Sequence, residues 1–298
     1  MRVTTLGSTN NSVAWMKVAA ERMATGQRQV ATGVRFESVS ESPSDGATIL
    51  RSRRSLDRLE QLERNTTNAK LWLETGDTAL NGAVTSLTRA RTLTVQGANG
   101  INTPEARAAI AGDIRSIADE LISIANTSIN GRAIFGGTSG ASGAFDASGL
   151  YQGDGGQVLR NVTPGDSFVV AVPGPEIFGT ANGPDPLNGT VFQMLNAVAD
   201  SIEAGDPAGA RLGIEAVDAA IGRIQGEVGR LGNLASRLDG VIDSNQSSQI
   251  ATRSQISMTQ DVDMGEAIVR LRAAETSYQA TLSATGRTLG RSLLDFLR

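Results

Sequence analysis

Residues 261–266, with the sequence DVDMGE, place three acidic side chains within six positions, as a calcium-binding loop does. The spacing does not match such a loop, because Gly265 stands where the third ligand is needed and Glu266 stands where glycine is needed. The glycine-rich run 136–143 lacks the Gly-Lys-Ser/Thr ending of a phosphate-binding loop. We therefore expect neither a metal nor a cofactor at these two places.

Composition narrows the possible chemistry further, because the chain contains no cysteine and no histidine. Thiol nucleophiles, Ser-His-Asp triads, histidine acid–base chemistry and the usual zinc sites are excluded. Serine, carboxylates and arginine remain available, but the sequence has no nucleophile elbow and no carboxylate pair in a recognisable turn context. We expect no enzymatic activity.

The charge and hydropathy of the chain bear on its partners. The formal net charge is −4, whereas a nucleic-acid binder needs a basic surface to displace counterions. No stretch approaches eighteen consecutive apolar residues, and residues 1–20 lack the apolar core of a secretory signal. We expect no nucleic-acid partner, no membrane partner and no cleaved signal.

The sequence shows no catalytic constellation, and its strongest pattern is a helical spacing of apolar residues. Nine apolar positions between 214 and 242 are separated alternately by three and four residues: Ile214, Val217, Ile221, Ile224, Val228, Leu231, Ala235, Leu238 and Ile242. A similar seam lies upstream at Ile110, Ile114, Ile117, Leu121 and Ile124. Such spacing predicts long helices that pack lengthwise on other helices.

Weaker apolar stripes lie near both chain ends. The N-terminal stripe consists of Val13, Met16, Ala20, Met23, Gln27 and Val30. The C-terminal stripe consists of Ile268, Leu271, Tyr278 and Leu282, followed by Leu289, Leu293, Leu294, Phe296 and Leu297. Glycines at 26, 265, 286 and 290 weaken both helices, by about 1 kcal/mol each relative to alanine. The two segments either pack together within the chain or become ordered when neighbouring subunits bury them, which would make them assembly surfaces.

Capping and proline signals predict helices at about 8–32, 45–97, 104–129, 207–256 and 263–290. Residues 131–192 differ, because they hold fourteen of the 34 glycines and five of the eight prolines. Strand-like runs at 158–162 and 168–172 predict a small β region there.

The fold class expected from these elements is mainly α, a long antiparallel helical bundle or coiled coil built from both chain termini, with a small β-rich insertion domain. Residues 1–40 would form a terminal helix that pairs with 262–298, and 41–130 and 195–261 would form the two halves of the helical core. Residues 131–194 would be the insertion, at the end of the core away from the termini.

Three arginines recur every seven residues beside the apolar seam, at Arg223, Arg230 and Arg237. Such a row is usually a solvated face, and its ion pairs contribute little to stability. The alternative is lateral contact with acidic residues of an adjacent subunit.

Several segments resemble the bacterial flagellin superfamily. The N-terminal segments are VATGVRFESVSESPSDGATIL (30–50), ERNTTNAKLWLETGDTAL (63–80) and ARTLTVQGANG (90–100), and the C-terminal one is LGRSLLDFL (289–297). Within that superfamily, SIANTSINGRAIFGGT (123–138) and YQGDGGQ (151–157) are similar to the hook-associated protein 3 branch, the hook–filament junction proteins.

The resemblance implies a structural subunit of the bacterial flagellum that acts as a hook–filament junction adaptor, with a minor or short filament flagellin as the alternative. The implied partners are further copies of the chain in a ring or helical assembly, flagellin, another hook-associated protein on the hook side and a flagellar type III export chaperone. The implied location is extracellular, in the flagellum. A type III secreted translocator would instead need an apolar hairpin able to enter a bilayer, and the sequence has none.

Overall fold

The computed structural model describes residues 2–99, 102–163, 165–180 and 186–296, with side-chain positions for all of these except 2–10, 166 and 288–296. Within these ranges the chain forms seven α-helices: α1 (Arg2–Thr32), α2 (Pro43–Gly97), α3 (Pro104–Ala125), α4 (Gly174–Phe178), α5 (Val191–Ala204), α6 (Pro207–Gln260) and α7 (Met264–Phe296). Four short strands pair as two hairpins: β1 (Ser128–Ile129) with β2 (Arg132–Ala133), and β3 (Val158–Thr163) with β4 (Asp166–Ala171). The expected mainly helical architecture with a small sheet region is confirmed.

The chain divides into two compact units. The terminal unit contains Met1–Arg58 and Ser248–Arg298, and the central unit contains Leu59–Ser247. Helices α2 and α6 contribute residues to both units.

The central unit is built on antiparallel helices. Lys70 Nζ lies 2.7 Å from Asp239 Oδ1, and Arg91 Nε lies 2.5 Å from Asp218 Oδ1. As α2 is followed forward, its partner position on α6 therefore moves backward. Helix α3 also runs antiparallel to α2, and the Ser86 hydroxyl donates to Glu120 Oε1 at 3.1 Å.

The apolar seams provide most of the helical core of this unit. In α6, Val217, Ile224, Leu231 and Leu238 are buried, whereas Ile214, Ile221, Val228, Ala235 and Ile242 are half-buried. In α3, Ile110, Ile114, Ile117 and Leu121 are buried, and Ile124 packs against them half-buried. The α2 residues that close the core include Leu73, Leu80 and Leu87.

Helix α3 ends four residues before its expected end at 129 because Asn126 turns the chain. Its backbone N–H donates to Ile122 O, and its side-chain oxygen accepts from the N–H groups of Ala144 and Phe145 at 2.7 and 2.8 Å. Asn130 and Gly131 have φ of 52° and 77° and form the turn between β1 and β2.

Helix α5 was not expected from the sequence, which assigned Val191 and its neighbours to the insertion. Thr190 and Gln193 form a reciprocal capping box at its start, and Gly205 ends it with φ of 73°. Its apolar face packs against α3, and Arg115 of α3 bridges Asp200 and Glu203 at 2.7 and 2.6 Å.

The expectation that the insertion lies at the far end of the helical core is wrong. Asn65 Nδ2 donates to Asn161 O at 3.0 Å, and Arg160 Nε donates to Asn68 Oδ1 at 3.1 Å. The β3–β4 hairpin thus lies beside α2 near residues 65–68, because α3 runs back along α2 before the insertion begins. The far end is occupied by α5, whose Ile202 lies so close to Gly97 that a Cβ there would meet it at 2.7 Å.

Candidate assembly surfaces

Helices α1 and α7 pair antiparallel within the terminal unit. Backbone hydrogen bonds join Arg35 N to Gln260 O at 2.7 Å and Val262 N to Gly33 O at 3.0 Å. The pairing continues further along both helices, where a Cβ on Gly26 of α1 would lie 3.3 Å from the Cα of Leu271 in α7. A side chain at this position would be tightly packed against Leu271, so glycine suits the close approach of the two helices.

The interface between α1 and α7 is thin. The buried apolar residues there are Ala19 and Ala267, and the buried positions of α1 are Ala19 and Gly26 rather than the expected Ala20 and Gln27. Among the expected assembly residues, five are half-buried: Met16, Met23, Val30, Leu271 and Tyr278. Alanine and glycine bury little apolar area, so this pair gains little from intramolecular packing alone.

Other expected assembly residues face solvent. Val13, Ile268 and Leu282 are exposed. The side chains of Leu289, Leu293, Leu294 and Phe296 lie outside the description, as does Leu297 altogether.

The terminal unit also exposes large apolar residues that the sequence pattern did not indicate. Trp15 is 67% exposed and Val269 is 69% exposed, and both lie off the heptad stripes used for the sequence prediction. Ile250, Met258 and Met264 are exposed as well. The signal available beforehand for Trp15 was its chemistry, since it is one of only two tryptophans in the chain. Several exposed large apolar residues within one unit are typical of a surface that contacts other molecules.

A groove of about 610 Å³ runs between α1 and α7. It is lined from α1 by Val18, Ala19, Glu21, Arg22, Thr25, Gly26 and Gln29, and from α7 by Arg270, Ala273, Ala274 and Ser277. No aromatic residue and only one large apolar residue, Val18, line it among the described side chains. The groove is therefore a shallow, small-residue depression with charged walls.

In the arginine row of α6, Arg223 and Arg237 are exposed and Arg230 is half-buried, and each has a neighbour within the chain. The Arg237 guanidinium lies 4.6 Å from the centre of the Phe168 ring in β4. Arg230 forms two hydrogen bonds with Glu227, at 2.8 and 2.6 Å, and these raise its pKa. A terminal nitrogen of Arg223 lies 3.0 Å from the position of a Cβ on Gly179, in the insertion. Arg223 thus lies close to the insertion, and Arg237 makes a cation–π contact with it.

Trp72 of α2 is buried, and two guanidinium groups lie close to its ring. Arg132 lies 5.8 Å and Arg160 lies 5.7 Å from its ring. Cation–π contacts of this kind favour a fixed orientation of the cation over the indole. The insertion is therefore anchored to α2 as well as to α6.

Hydrogen bonds to carboxylates shape the loop that begins the insertion. Asp154 accepts from the Thr138 N–H and hydroxyl, both at 2.6 Å, and these bonds lower its pKa. The Ser148 hydroxyl and backbone N–H groups lower the pKa of Asp146 in the same way. Burial raises the pKa of Tyr151 to about 12, and its hydroxyl donates to Asp154 O at 2.7 Å. These arrangements order a turn.

Neither a metal cluster nor a bilayer-spanning helix occurs among the described residues. No group of three acidic, histidine or cysteine residues is close enough to hold a metal ion in that part of the chain. Among the described helices, none has both the length and the apolar character needed to cross a bilayer.

The chain is similar to known flagellar proteins. The bacterial flagellin N-terminal and C-terminal helical region families match residues 3–140 and 214–297. Flagellar hook-associated protein 3 of Escherichia coli (strain K12) is 27% identical over 312 residues, which cover 96% of this chain and 94% of that protein. The Salmonella typhimurium protein of the same name is 30% identical over 187 residues, which cover 60% of this chain and 56% of that protein.

A solved structure shows that the likeness extends to the fold. Flagellar hook-associated protein 3 from Legionella pneumophila superposes with a TM-score of 0.62, covering 70% of this chain and 98% of that one, at 16% identity. The two family matches cover both helical halves and leave most of the region between 140 and 214 unmatched. With both of its helical regions matched and this fold, the chain belongs to the bacterial flagellin family.

Proposed function

We propose that this chain is a structural subunit of the bacterial flagellum, a flagellin-like axial protein that joins the hook to the filament. The observation that carries the proposal is its alignment with Escherichia coli flagellar hook-associated protein 3 along nearly the whole length of both chains. The alignment spans the insertion as well as the helical halves, whereas the flagellin family matches cover the helical halves.

The proposed mechanism is geometric and has no catalytic step. The central unit has a continuous apolar core, which makes it a stable body. The terminal unit exposes large apolar residues on thinly packed helices, which favours burial of those residues between subunits. One set of terminal helices would therefore make contacts toward both the hook side and the filament side.

The roles of the segments follow from this proposal. Residues 1–40 and 262–298 would form the inner assembly layer, with Val13, Ile268 and Leu282 among its contacts. Residues 41–130 and 195–261 would form the supporting helical core, and 131–194 the outer insertion. The partners would be further copies of the chain, flagellin and a hook-associated protein on the hook side, after export with a type III chaperone to the outside of the cell.

Gene deletion in the source bacterium tests the proposal. Loss of a junction protein leaves hooks without filaments and releases flagellin into the medium, and a plasmid copy of the full chain restores filaments. If deleted cells keep nearly normal filaments, the chain is a minor flagellin and the proposal is wrong.

A truncated copy examines the assembly role of the C-terminal residues. Removal of 289–298 deletes five large apolar residues, each worth roughly 1.5–3 kcal/mol when buried. We expect this variant to be exported but not incorporated, so that both it and flagellin accumulate in the medium. Normal filaments on the truncated subunit would contradict the proposed role of this segment.

A further inference from the structure

We propose that Trp15 of one copy of this chain inserts into the groove between α1 and α7 of a second copy. The inference rests on the proposed function and names the contact through which copies associate. It concerns a part of the molecule that the sequence pattern did not indicate, because Trp15 lies off the heptad stripe of α1.

The first observation is a large side chain without cover. Trp15 is 67% exposed, although an indole is among the most costly side chains to leave in water. Val18, one turn further along the same face of α1, is exposed too. Exposed tryptophan beside a second apolar residue is typical of the central residues of an interface.

The second observation is a depression without a large side chain. The floor of the α1–α7 groove is made of Ala19, Gly26, Ala273 and Ala274, and its volume of about 610 Å³ accommodates a bulky side chain. Small residues on two neighbouring helices allow another helix to approach closely and insert a side chain between them. Trp15 does not line the groove of its own chain.

The third observation is the charge on the groove walls. Arg22 lines the groove from α1 and makes no ion pair within the described residues, whereas Arg270 lines it from α7 and pairs with Glu266. Glu21 lines the groove as well. A guanidinium group attracts the face of an indole ring, and tryptophan is the strongest partner for such contacts. Arg22 is thus available for a cation–π contact with an inserted indole.

The fourth argument concerns symmetry. The projecting residue and the depression lie at different places on one surface, since Trp15 precedes Val18, the first groove residue of α1, by one turn. A contact between unlike patches on two copies can be made reciprocally across a two-fold axis or repeated head to tail in a ring or a helical array. Both halves of the contact lie on this chain, and the proposed axial role requires the head-to-tail arrangement, so the occupant we assign is a second copy of the chain.

Tryptophan fluorescence of the full chain tests the contact directly. The other tryptophan, Trp72, is buried in the central unit, so W72F leaves Trp15 as the only emitter. Emission is recorded as the W72F chain associates with rising concentration, with sedimentation measured in parallel and thermal melts confirming the fold. We expect a shift to shorter wavelength that follows association.

Two matched variants in this background separate the groove from the rest of the terminal unit. Ala273 lines the groove and is exposed, so A273L fills the depression without entering the α1–α7 interface. Ala31 is exposed on α1 and does not line the groove, so A31L is the control. We expect A273L and W15A to weaken self-association at least about 30-fold, and A31L to leave it unchanged.

Several results would overturn the inference. Trp15 emission that stays at the wavelength of an exposed indole in the associated chain would do so, as would equal association of A273L and A31L. A shift that appears only when flagellin is added would assign Trp15 to that partner instead. Restored filaments in deletion cells carrying W15A would refute this contact alone, whereas failure of the unmodified chain to restore them would refute the proposed function.

Discussion

The central and terminal units use their apolar residues in opposite ways. In the central unit, 41 buried apolar residues form one continuous cluster. Among the described side chains of the terminal unit, the buried apolar residues are only Ala19, Phe36, Ile49 and Ala267. The same unit exposes eleven large apolar residues: Val13, Trp15, Val18, Val39, Leu50, Ile250, Met258, Met264, Ile268, Val269 and Leu282.

The contrast indicates where each unit obtains its stability. Burial of apolar area is the main favourable contribution to folding, and it is concentrated in the central unit. The terminal unit contains the long helices α1 and α7 but buries little apolar area. Helices without such burial are marginally stable in water. We therefore expect the central unit to fold in the monomer and the terminal unit to gain its stability from other subunits.

The largest expected effect comes from a charge in the central core. Ile224 is fully buried, so I224D places an unpaired carboxylate there and should destabilise the central unit by several kcal/mol. L212D, at a residue 56% exposed on the same helix, is the control and should change stability little. Urea unfolding measures both, and similar midpoints for the two variants would show that the seam is not the core of this unit.

Limited proteolysis sharpens the comparison without a mutation. We expect a protease to trim the monomer before about residue 40 and after about residue 262, and to leave a resistant fragment of the central unit, because thinly packed helices open more readily. Mass spectrometry of the fragments identifies the cleavage sites. Resistance of the full chain at concentrations where sedimentation shows only monomer would contradict the division into stable and dependent units.

A smaller effect is expected at the contact between α6 and the insertion. R237A removes the guanidinium from the Phe168 ring and should lower the stability of the central unit by about 0.5–1 kcal/mol. R237K keeps a cation over the ring and should recover part of the loss. R211A, at an exposed arginine of the same helix, serves as the control, and an equal effect there would remove the anchoring role from Arg237.

The smallest expected effect is a local response to acid. Hydrogen bonds lower the pKa of Asp146 and Asp154, so the folded turn favours their charged forms more than the unfolded chain does. This contribution is complete above the ordinary carboxyl pKa of 3.8 and is lost as pH falls below it toward the lowered values. Protection of the Thr138 and Gly156 amides, taken relative to the intrinsic exchange rate at each pH, should fall over that interval, and D154N should show low protection already at neutral pH. Protection of the Thr138 amide that does not change with pH would exclude this role of Asp154.

Much of the helical architecture could be predicted because its signals are local. The spacing of Val217, Ile224, Leu231 and Leu238 specifies which side of α6 faces a neighbour, and caps and prolines indicate where helices begin. A capping box also preceded α5, at Thr190 and Gln193, but the glycine and proline content of the surrounding segment obscured it.

The position of the insertion and the exposure of Trp15 could not be read from periodicity. The insertion is located by contacts between residues far apart in the sequence, such as Asn65 with Asn161 and Arg237 with Phe168. Trp15 became a candidate once the α1–α7 pairing showed which face of α1 is covered. A heptad stripe identifies a buried face, whereas an interface residue lies on the face that the chain leaves uncovered.

The antiparallel pairing of α2 with α6 has a consequence for the order of folding. Lys70 meets Asp239 and Arg91 meets Asp218, so the partner of each α2 turn lies more than a hundred residues away along the chain. Contacts of such high sequence separation close slowly, because a long loop must be ordered before any of them forms. In the export proposed above, whichever end of the chain leaves the cell first would have no partner for its half of this seam until the other half follows. Delayed closure would keep the chain unfolded during that passage and let the core form once both halves are free.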